Sequence, residues 1–331
     1  MQNFLSISKD NTISSIAIGK FDGLHLGHQK LLSMLADFAT FAMKDCAAIV
    51  IDTHSSEYLT SPDDRYERLS RSVGNVFVLD LDSVRELSGG EFVGLLKNLL
   101  PNLRHIVVGY DFAFGKNRAF GAEDLQRLFA NSVDCANATN ADSKTAMKKQ
   151  SILANVTNPA GLPKITIIPK VSHNEIPLHS SVIKDLIAHG DIAIANAMLG
   201  WHYKLKCKIT KGQGIGSKEL FPTINALTEG YVLPSNGVYA TRTNGTNSVS
   251  FIGQRLSTDG SFAIESHILG DFAKSSLVKD RDYKEGIIHI EFIQKLRENR
   301  HFETLDLLKC QIQKDISNAK TIFDRGGLAG F

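Results

Sequence analysis

Two histidines stand three residues apart, His25 and His28, with glycines at positions 23 and 27. They close the run Ile16 to His28, IAIGKFDGLHLGH, in which a short apolar stretch gives way to a turn holding Asp22 and Gly23. The pattern predicts a strand ending at Gly19 and a helix beginning near Leu26. Glycine lets backbone approach a ligand closely, and a helix N-terminus offers free N–H groups to phosphate oxygens. A spacing of three places both imidazoles on one face of a helical turn. Two imidazoles so placed can donate hydrogen bonds to a polyphosphate and to the charge that builds during phosphoryl attack. Zinc is the weaker reading, because no third ligand lies at a recognisable spacing. The segment is not a P-loop, since GxxxxGK[ST] occurs nowhere in the chain.

A second group lies in the last third of the chain. Residues 211–218, KGQGIGSK, carry Gly212, Gly214 and Gly216 at every second position between Lys211 and Lys218. Such a loop can fold over phosphates with its N–H groups inward. Phe221 to Asn225, FPTIN, follows at once, and the Thr223 and Asn225 side chains offer hard oxygens suited to Mg²⁺ beside substrate phosphates. On a strand these two residues share a face.

The elements around these residues fall into two styles. From Ser14 to about Asn196, short Val- and Ile-rich runs (Ile16–Ile18, Ala47–Ile51, Val76–Leu81, His105–Val108, Ile165–Ile168) read as strands. They alternate with amphipathic stretches such as Leu26–Phe38, Glu91–Leu99 and Glu123–Phe129, which predicts a buried parallel sheet with ligands at the strand C-termini. Asn131–Gly161 interrupts the alternation with an Asn-, Ala-, Thr- and Ser-rich surface insertion. After a helical stretch, Ser181–Leu199, the runs Tyr203–Ile209, Gly237–Thr243, Ser248–Ile252, Phe262–Ile268 and Ile287–Phe292 predict a small antiparallel barrel. Leu305, Leu308, Ile312 and Ile316 then mark one closing helix. The expected boundary lies between residues 199 and 200.

Composition agrees with an ordinary globular chain: 331 residues, 43% hydrophobic and 22% charged. Thirty-seven Lys and Arg against 35 Asp and Glu leave a charge of +2, with the basic residues interspersed among acids. That balance supplies no grip on nucleic acid or anionic membrane, so neither is an expected partner. Four cysteines at 46, 135, 207 and 310 form neither a disulfide framework nor a CxxC zinc spacing. With no signal-like leader and no membrane-length apolar run, the expected location is the cytoplasm.

Gly19 to His28 resembles the GxFDGxHxGH signature of the bacterial bifunctional riboflavin kinase/FAD synthetase family, within the HxGH nucleotidylyltransferases. Val107 to Gly115, VVGYDFAFG, is similar to the family's VVGxDFxFG segment, and Phe221 to Asn225 to its FPTAN. Gly237 to Ala240 matches GVYA, and Ile264 to Leu269, IESHIL, matches the family's E-x-H-(I/L)-L stretch. The resemblance implies a doubly wound parallel α/β domain, 1–199, that transfers AMP from ATP to FMN with loss of pyrophosphate. It implies a barrel domain, 200–331, that phosphorylates riboflavin with ATP. Gly19, Phe21, Asp22, Gly23, Gly27 and Lys184 would then bind ATP, and Asp111, Phe112 and Phe114 the flavin. Phe112 and Phe114 are equally readable as core aromatics. Lys211, Gly212, Gly214, Gly216, Thr223 and Asn225 would hold the kinase nucleotide, with Mg²⁺ on Thr223 and Asn225, and Glu265 would be the base. FAD is the final product, and a monomer or weak homo-oligomer is expected.

Four departures qualify the resemblance, one of them Glu219 and Leu220 in place of the usual Leu-Gly before FPT. The family's ISSTxxR stretch is here Leu178 to Lys184, LHSSVIK, where a lysine keeps the charge and loses the guanidinium fork. Its PHP-like turn is Thr53 to Ser56, THSS, keeping only His54. Leu256 replaces proline after Ile252 to Arg255, IGQR. Weak or lost adenylyl transfer, or a flavin-binding regulator without turnover, are the alternative readings. Arg297, in LRENRHF, is readable either as a substrate contact or as a solvated helix-cap residue.

Overall fold

Six strands order the first half of the chain: β1 (Gln2–Asn3), β2 (Ser15–Gly19), β3 (Cys46–Asp52), β4 (Asn75–Asp80), β5 (His105–Gly109) and β8 (Lys164–Ile168). In this computed structural model all pairs are parallel, in the order β1-β4-β3-β2-β5-β8. The structure describes residues 1–10, 12–39, 43–131, 161–210, 221–257, 259–271, 273 and 275–325. Residues 132–160 of the expected insertion and the whole of the 211–218 glycine loop lie outside them.

The strands are Ile-, Val- and Ala-rich because both faces are covered, as parallel sheets require. Ile16, Ile18, Ile49 and Ile106 pack on one side with Phe92, Leu96 and Phe129. Ala17, Ala48, Val50 and Val107 pack on the other with Leu31, Leu32 and Leu35. These helical partners come from α1 (Leu26–Ala36), α4 (Gly89–Leu99) and α5 (Asp124–Asn131). Ser88 and Glu91 form a reciprocal capping box that starts α4. Strand order reverses between β2 and β5, and open α/β sheets bind ligands at such a switch point.

Two elements of this half, one largely polar and one with only two residues per strand, show no apolar period in the sequence. One is α2 (Pro62–Ser70), PDDRYERLS, whose buried residues are Asp64, Arg65 and Leu69. The other is the hairpin of β6 (Ala113–Phe114) with β7 (Phe120–Gly121). A Cβ on Gly115, at φ +75°, would meet the Phe120 ring at 2.8 Å, so glycine alone permits this turn.

The second half is a closed barrel of β11 (Lys204–Thr210), β12 (Ile224–Leu227), β15 (Phe262–Ile268), β14 (Thr246–Gln254), β13 (Gly237–Thr243) and β16 (Ile287–Glu298), in that order around the ring. The five expected strands are present, and β12 is the sixth that closes the ring. Thr241, Thr243, Ser248, Ser250 and Ser266 are fully buried and bond one another at 2.6–3.1 Å. A satisfied hydroxyl cluster of this kind fixes the register of β13, β14 and β15, since a one-residue slip would unpair all of it. The short elements are α3 (Leu81–Val84), the hairpin of β9 (Ser172–His173) with β10 (Ile176–Pro177), and α8 (Arg281–Lys284). The closing helix α9 (Leu305–Asp324) covers Val238, Ala240 and Val249 with Ala319.

Helix 181–199 is a correction. It is two helices, α6 (Ser180–His189) and α7 (Ile192–Leu199), broken where Gly190 takes φ +86°. The chain parts into two compact units, Met1–Ser55 with Pro62–Pro177, and Ser56–Ser61 with Leu178–Phe331. Contacts thus group α6 and α7 with the barrel, whereas the sequence break was placed at 199/200. Buried Asn196 is one reason: its Nδ2 donates to Phe292 O at 2.8 Å, and its Oδ1 accepts from Tyr203 N at 2.7 Å. Among the described residues no helix is long and apolar enough to cross a membrane.

Candidate functional site

The first site forms where β2 runs into α1. Past Gly19 the chain turns sharply, with Phe21 at φ +51°, Gly23 at +77° and Leu24 at +37°. Non-glycine residues held in this region cost about 1–3 kcal/mol each and persist where the surroundings over-determine them. Arg65 from α2 supplies that constraint: its Nη1 donates to Lys20 O at 3.2 Å and its Nη2 reaches Asp22 Oδ1 at 3.5 Å. Arg65 and Asp22 are both buried.

His25 is the N-cap of α1, and its ring stacks on His28 with centroids 3.8 Å apart. The Phe21 ring is tilted against His28, with centroids 5.3 Å apart. Gly27 serves this stack: a Cβ there would meet His25 Cε1 and Nδ1 at 3.1 Å, so the glycine makes room for an imidazole rather than for ligand alone. Burial, then His25, then Arg65 hold the His28 pKa well below the ordinary histidine value, leaving the ring neutral at pH 7. His28 Nδ1 is buried without a hydrogen-bond partner. A neutral imidazole so placed can donate to phosphate oxygen without carrying a proton charge.

Across the switch point, Asp111 is exposed at the end of β5, and Phe112 and Phe114 stack at 5.6 Å. A cavity of about 260 Å³ opens beside them, lined among others by Ile51, Val84, Arg85, Phe92 and Arg118. Phe114 is core and cavity wall together, while Phe112 is half-buried with a face toward the cavity lining. The lining is aromatic and aliphatic with Arg85, Glu86 and Arg118 among it, and Arg85 is paired with Asp82 at 3.0 Å, so the cleft suits a flat aromatic ligand. His54, at φ +50°, donates through Nε2 to Asp80 Oδ1 at 3.0 Å. That bond, with Asp52 next, raises its pKa. Lys184 belongs to the other compact unit, where it donates to Glu57 O at 2.5 Å and lies over the Tyr58 ring.

The second site lies on the barrel. Asn225 of β12 and Glu265 of β15 are direct cross-strand partners. Thr223 is half-buried immediately before β12 rather than within it. His267, two residues beyond Glu265, donates Nδ1 to Pro222 O at 2.8 Å and holds Phe221 edge-on at 5.4 Å, which fixes the FPT segment. Arg255, just past β14, joins the pair: Nε donates to Glu265 Oε1 at 2.7 Å and Nη2 to Asn225 Oδ1 at 2.8 Å. The hydroxyl and amide oxygens of Thr223 and Asn225 are the hard donors Mg²⁺ prefers, so the residues fit that ion. Arg255 Nη2 takes one lone pair of Asn225 Oδ1, and the second is the one that a metal would use.

Of the residues brought to these two places, Arg65 lies in no motif, while Arg255 stands in the IGQR stretch, where the sequence pattern gives it no role. Arg297 is not a solvated cap: its Nε and Nη2 grip buried Asp315 of α9 at 2.8–3.1 Å, a structural tie.

The comparisons match the two halves separately. A FAD synthetase family model matches residues 7–151 and a riboflavin kinase model residues 199–323. A curated protein of Bacillus subtilis named bifunctional riboflavin kinase/FMN adenylyltransferase is 27% identical, covering 96% of this chain and 95% of its own. One of the same name from Listeria monocytogenes is 26% identical, covering 93% and 92%. A crystal structure described as a macrolide-efflux protein from Streptococcus pneumoniae superposes with TM-score 0.73 over 97% of both chains, and at 20% identity it bears on the fold alone. With both models laid on the two modules in the order the motifs require, the chain belongs to the bifunctional riboflavin kinase/FAD synthetase family.

Proposed function

We propose that the chain makes FAD in two ATP-dependent steps at two separate sites, phosphorylating riboflavin in residues 200–331 and adenylylating FMN in residues 1–199. The observation that carries this reading is the pairing of chemistry with module. The stacked imidazoles lie within the stretch matched as FAD synthetase, and Glu265 with Asn225 within the stretch matched as riboflavin kinase.

In the kinase step Glu265 takes the proton of the riboflavin ribityl 5′-hydroxyl as that oxygen attacks the γ-phosphorus of ATP. The bond from phosphorus to the β–γ bridging oxygen breaks, and ADP leaves. The glycine loop with Lys211, Gly212, Gly214 and Gly216 is assigned to the phosphates. Mg²⁺ on Thr223 and Asn225 would neutralise polyphosphate charge when bound.

In the adenylyl step a phosphate oxygen of FMN attacks the α-phosphorus, the bond to the α–β bridging oxygen breaks, and pyrophosphate leaves. His25 and His28 donate to the charge that develops, and the turn of Gly19, Phe21, Asp22, Gly23 and Gly27 presents backbone N–H groups to ATP. No side-chain nucleophile is needed, because positioning and electrostatics do the work. Asp111, Phe112 and Phe114 are assigned to the flavin. Lys184 is assigned to ATP phosphates on the sequence resemblance alone. We infer that the enzyme works in the cytoplasm on small molecules, as a monomer or weak homo-oligomer.

The test is chromatography of flavins after incubating the full chain with riboflavin or FMN, ATP and Mg²⁺. His28→Ala is expected to stop at FMN, and Asn225→Ala to leave riboflavin unconverted yet still turn supplied FMN into FAD. Phe112→Ala is expected to raise the KM for FMN and leave the kinase step unchanged. One substitution abolishing both products from both starting flavins overturns the two-site reading.

A further inference from the structure

We infer that Arg255 is a positioning residue of the kinase step, acting through Glu265, an inference that rests on Glu265 being the base. Its guanidinium uses a different nitrogen for each of three acceptors. Nε takes Glu265 Oε1 at 2.7 Å, Nη2 takes Asn225 Oδ1 at 2.8 Å, and Nη1 takes Ser261 Oγ at 2.7 Å. The acceptors come from β15, β12 and the turn between β14 and β15, so one planar group ties three segments. That turn is itself closed, with Arg255 N donating to Ser261 O and Gly260 N to Arg255 O. Ser261 is further anchored on Asp259 at 2.9 Å. The fork therefore stands on a fixed base and imposes its own angles on what it holds.

The consequence for Glu265 is geometric. Its Oε1 is taken by Arg255, and among the described residues Oε2 carries no bond, leaving Oε2 as the atom to receive a proton. The pair is mostly shielded, with Arg255 17% and Glu265 24% exposed, so solvent screens it less than a surface ion pair. A glutamate on a barrel strand otherwise samples several rotamers, and a misplacement of about 1 Å at a reacting group can cost on the order of 10²-fold in rate. Lysine could match the charge and not the three-way fork.

A double-mutant cycle on the full chain tests this, with the initial rate of riboflavin to FMN as the readout. At saturating ATP and Mg²⁺, Arg255→Met is expected to lower kcat about 10²-fold, with the KM for riboflavin within roughly threefold of the parent. Arg255→Lys is expected to recover part of that loss, and it carries the cycle if the Met variant does not fold. Glu265→Gln alone is expected to cost about 10²–10⁴-fold. In the Glu265→Gln background either Arg255 substitution should lower kcat by less than roughly threefold further, because the group it positions is already gone. A merely structural arginine would impose its full penalty again in that background, and that result overturns the inference while sparing the base. Glu265→Gln with unchanged kcat removes the base assignment and the inference together, so the two failures are told apart.

Discussion

Arg65→Met is the perturbation that reaches furthest into the adenylyl site. It removes the guanidinium from Asp22 and from Lys20 O, in the turn that holds Phe21 and Leu24 at positive φ. Arg65 and Asp22 side chains are 4% and 9% exposed, so this is a buried pair. Breaking such a pair from one side costs about 3–5 kcal/mol, because the remaining charge loses its counter-charge. The 3.5 Å separation is long, which places the expectation near the lower end, about 3 kcal/mol. For a unit of this size that corresponds to a fall of roughly 6–12 °C in its thermal midpoint. FAD formation from FMN should fall about 10²-fold, since the imidazole stack rests on the displaced turn. FMN formation from riboflavin in the same sample is the internal control and should hold. The double variant Asp22→Asn with Arg65→Met leaves no uncompensated charge and should regain most of the stability. Calorimetry and flavin chromatography on the full chain read both quantities. A midpoint within about 1 °C of the parent together with an unchanged FAD rate would refute the reasoning.

Two further outcomes follow from single residues. Because His28 has a folded pKa below its unfolded value, the unfolded chain binds the extra proton, so stability contributed by neutral His28 is complete above about pH 6.5 and is lost as pH falls below it. His28→Gln should flatten that part of the thermal midpoint between about pH 7 and pH 5, and an unchanged slope counts against a buried neutral ring. Asn196→Leu leaves the buried Tyr203 N–H and Phe292 C=O without their side-chain partner, at about 1–3 kcal/mol each, or roughly 2–6 kcal/mol together. Denaturant unfolding of the full chain checks it, and a loss below about 1 kcal/mol would mean that α7 is not tied to the barrel through this residue.

The sheet and barrel were legible because their residues advertise burial locally. Ile16 to Ile18 and Val107 to Val108 are continuous apolar runs, and a fully covered parallel strand needs nothing else. The imidazole pair was legible because its spacing and glycines sit in one short segment. What escaped were elements whose burial is polar or brief. Helix α2 presents PDDRYERLS, with no apolar stripe, since two of its three buried residues are Asp64 and Arg65. Strand β12 is four residues long, too short for alternation to show. The break at Gly190 was hidden inside an otherwise helical stretch, because Gly190 is tolerated by pattern and revealed only by its φ.

The residues that do chemistry and the residues that hold them leave different traces. His25 and His28 are three apart, while Asp22 and Arg65 are separated by 43 positions, and Asn225 and Arg255 by 30. A ligand is contacted by whichever loop the strand C-termini deliver, so its contacts cluster in sequence and read as motifs. A support must come from a neighbouring element, and the register of the sheet or barrel alone decides which distant residue that is. Two of the supports, Arg65 and Arg255, are arginines, the side chain whose planar fork can satisfy two or three acceptors on separate segments at once. An arginine facing a motif carboxylate across a strand or helix boundary is therefore the feature to seek when a motif is complete and its geometry is not.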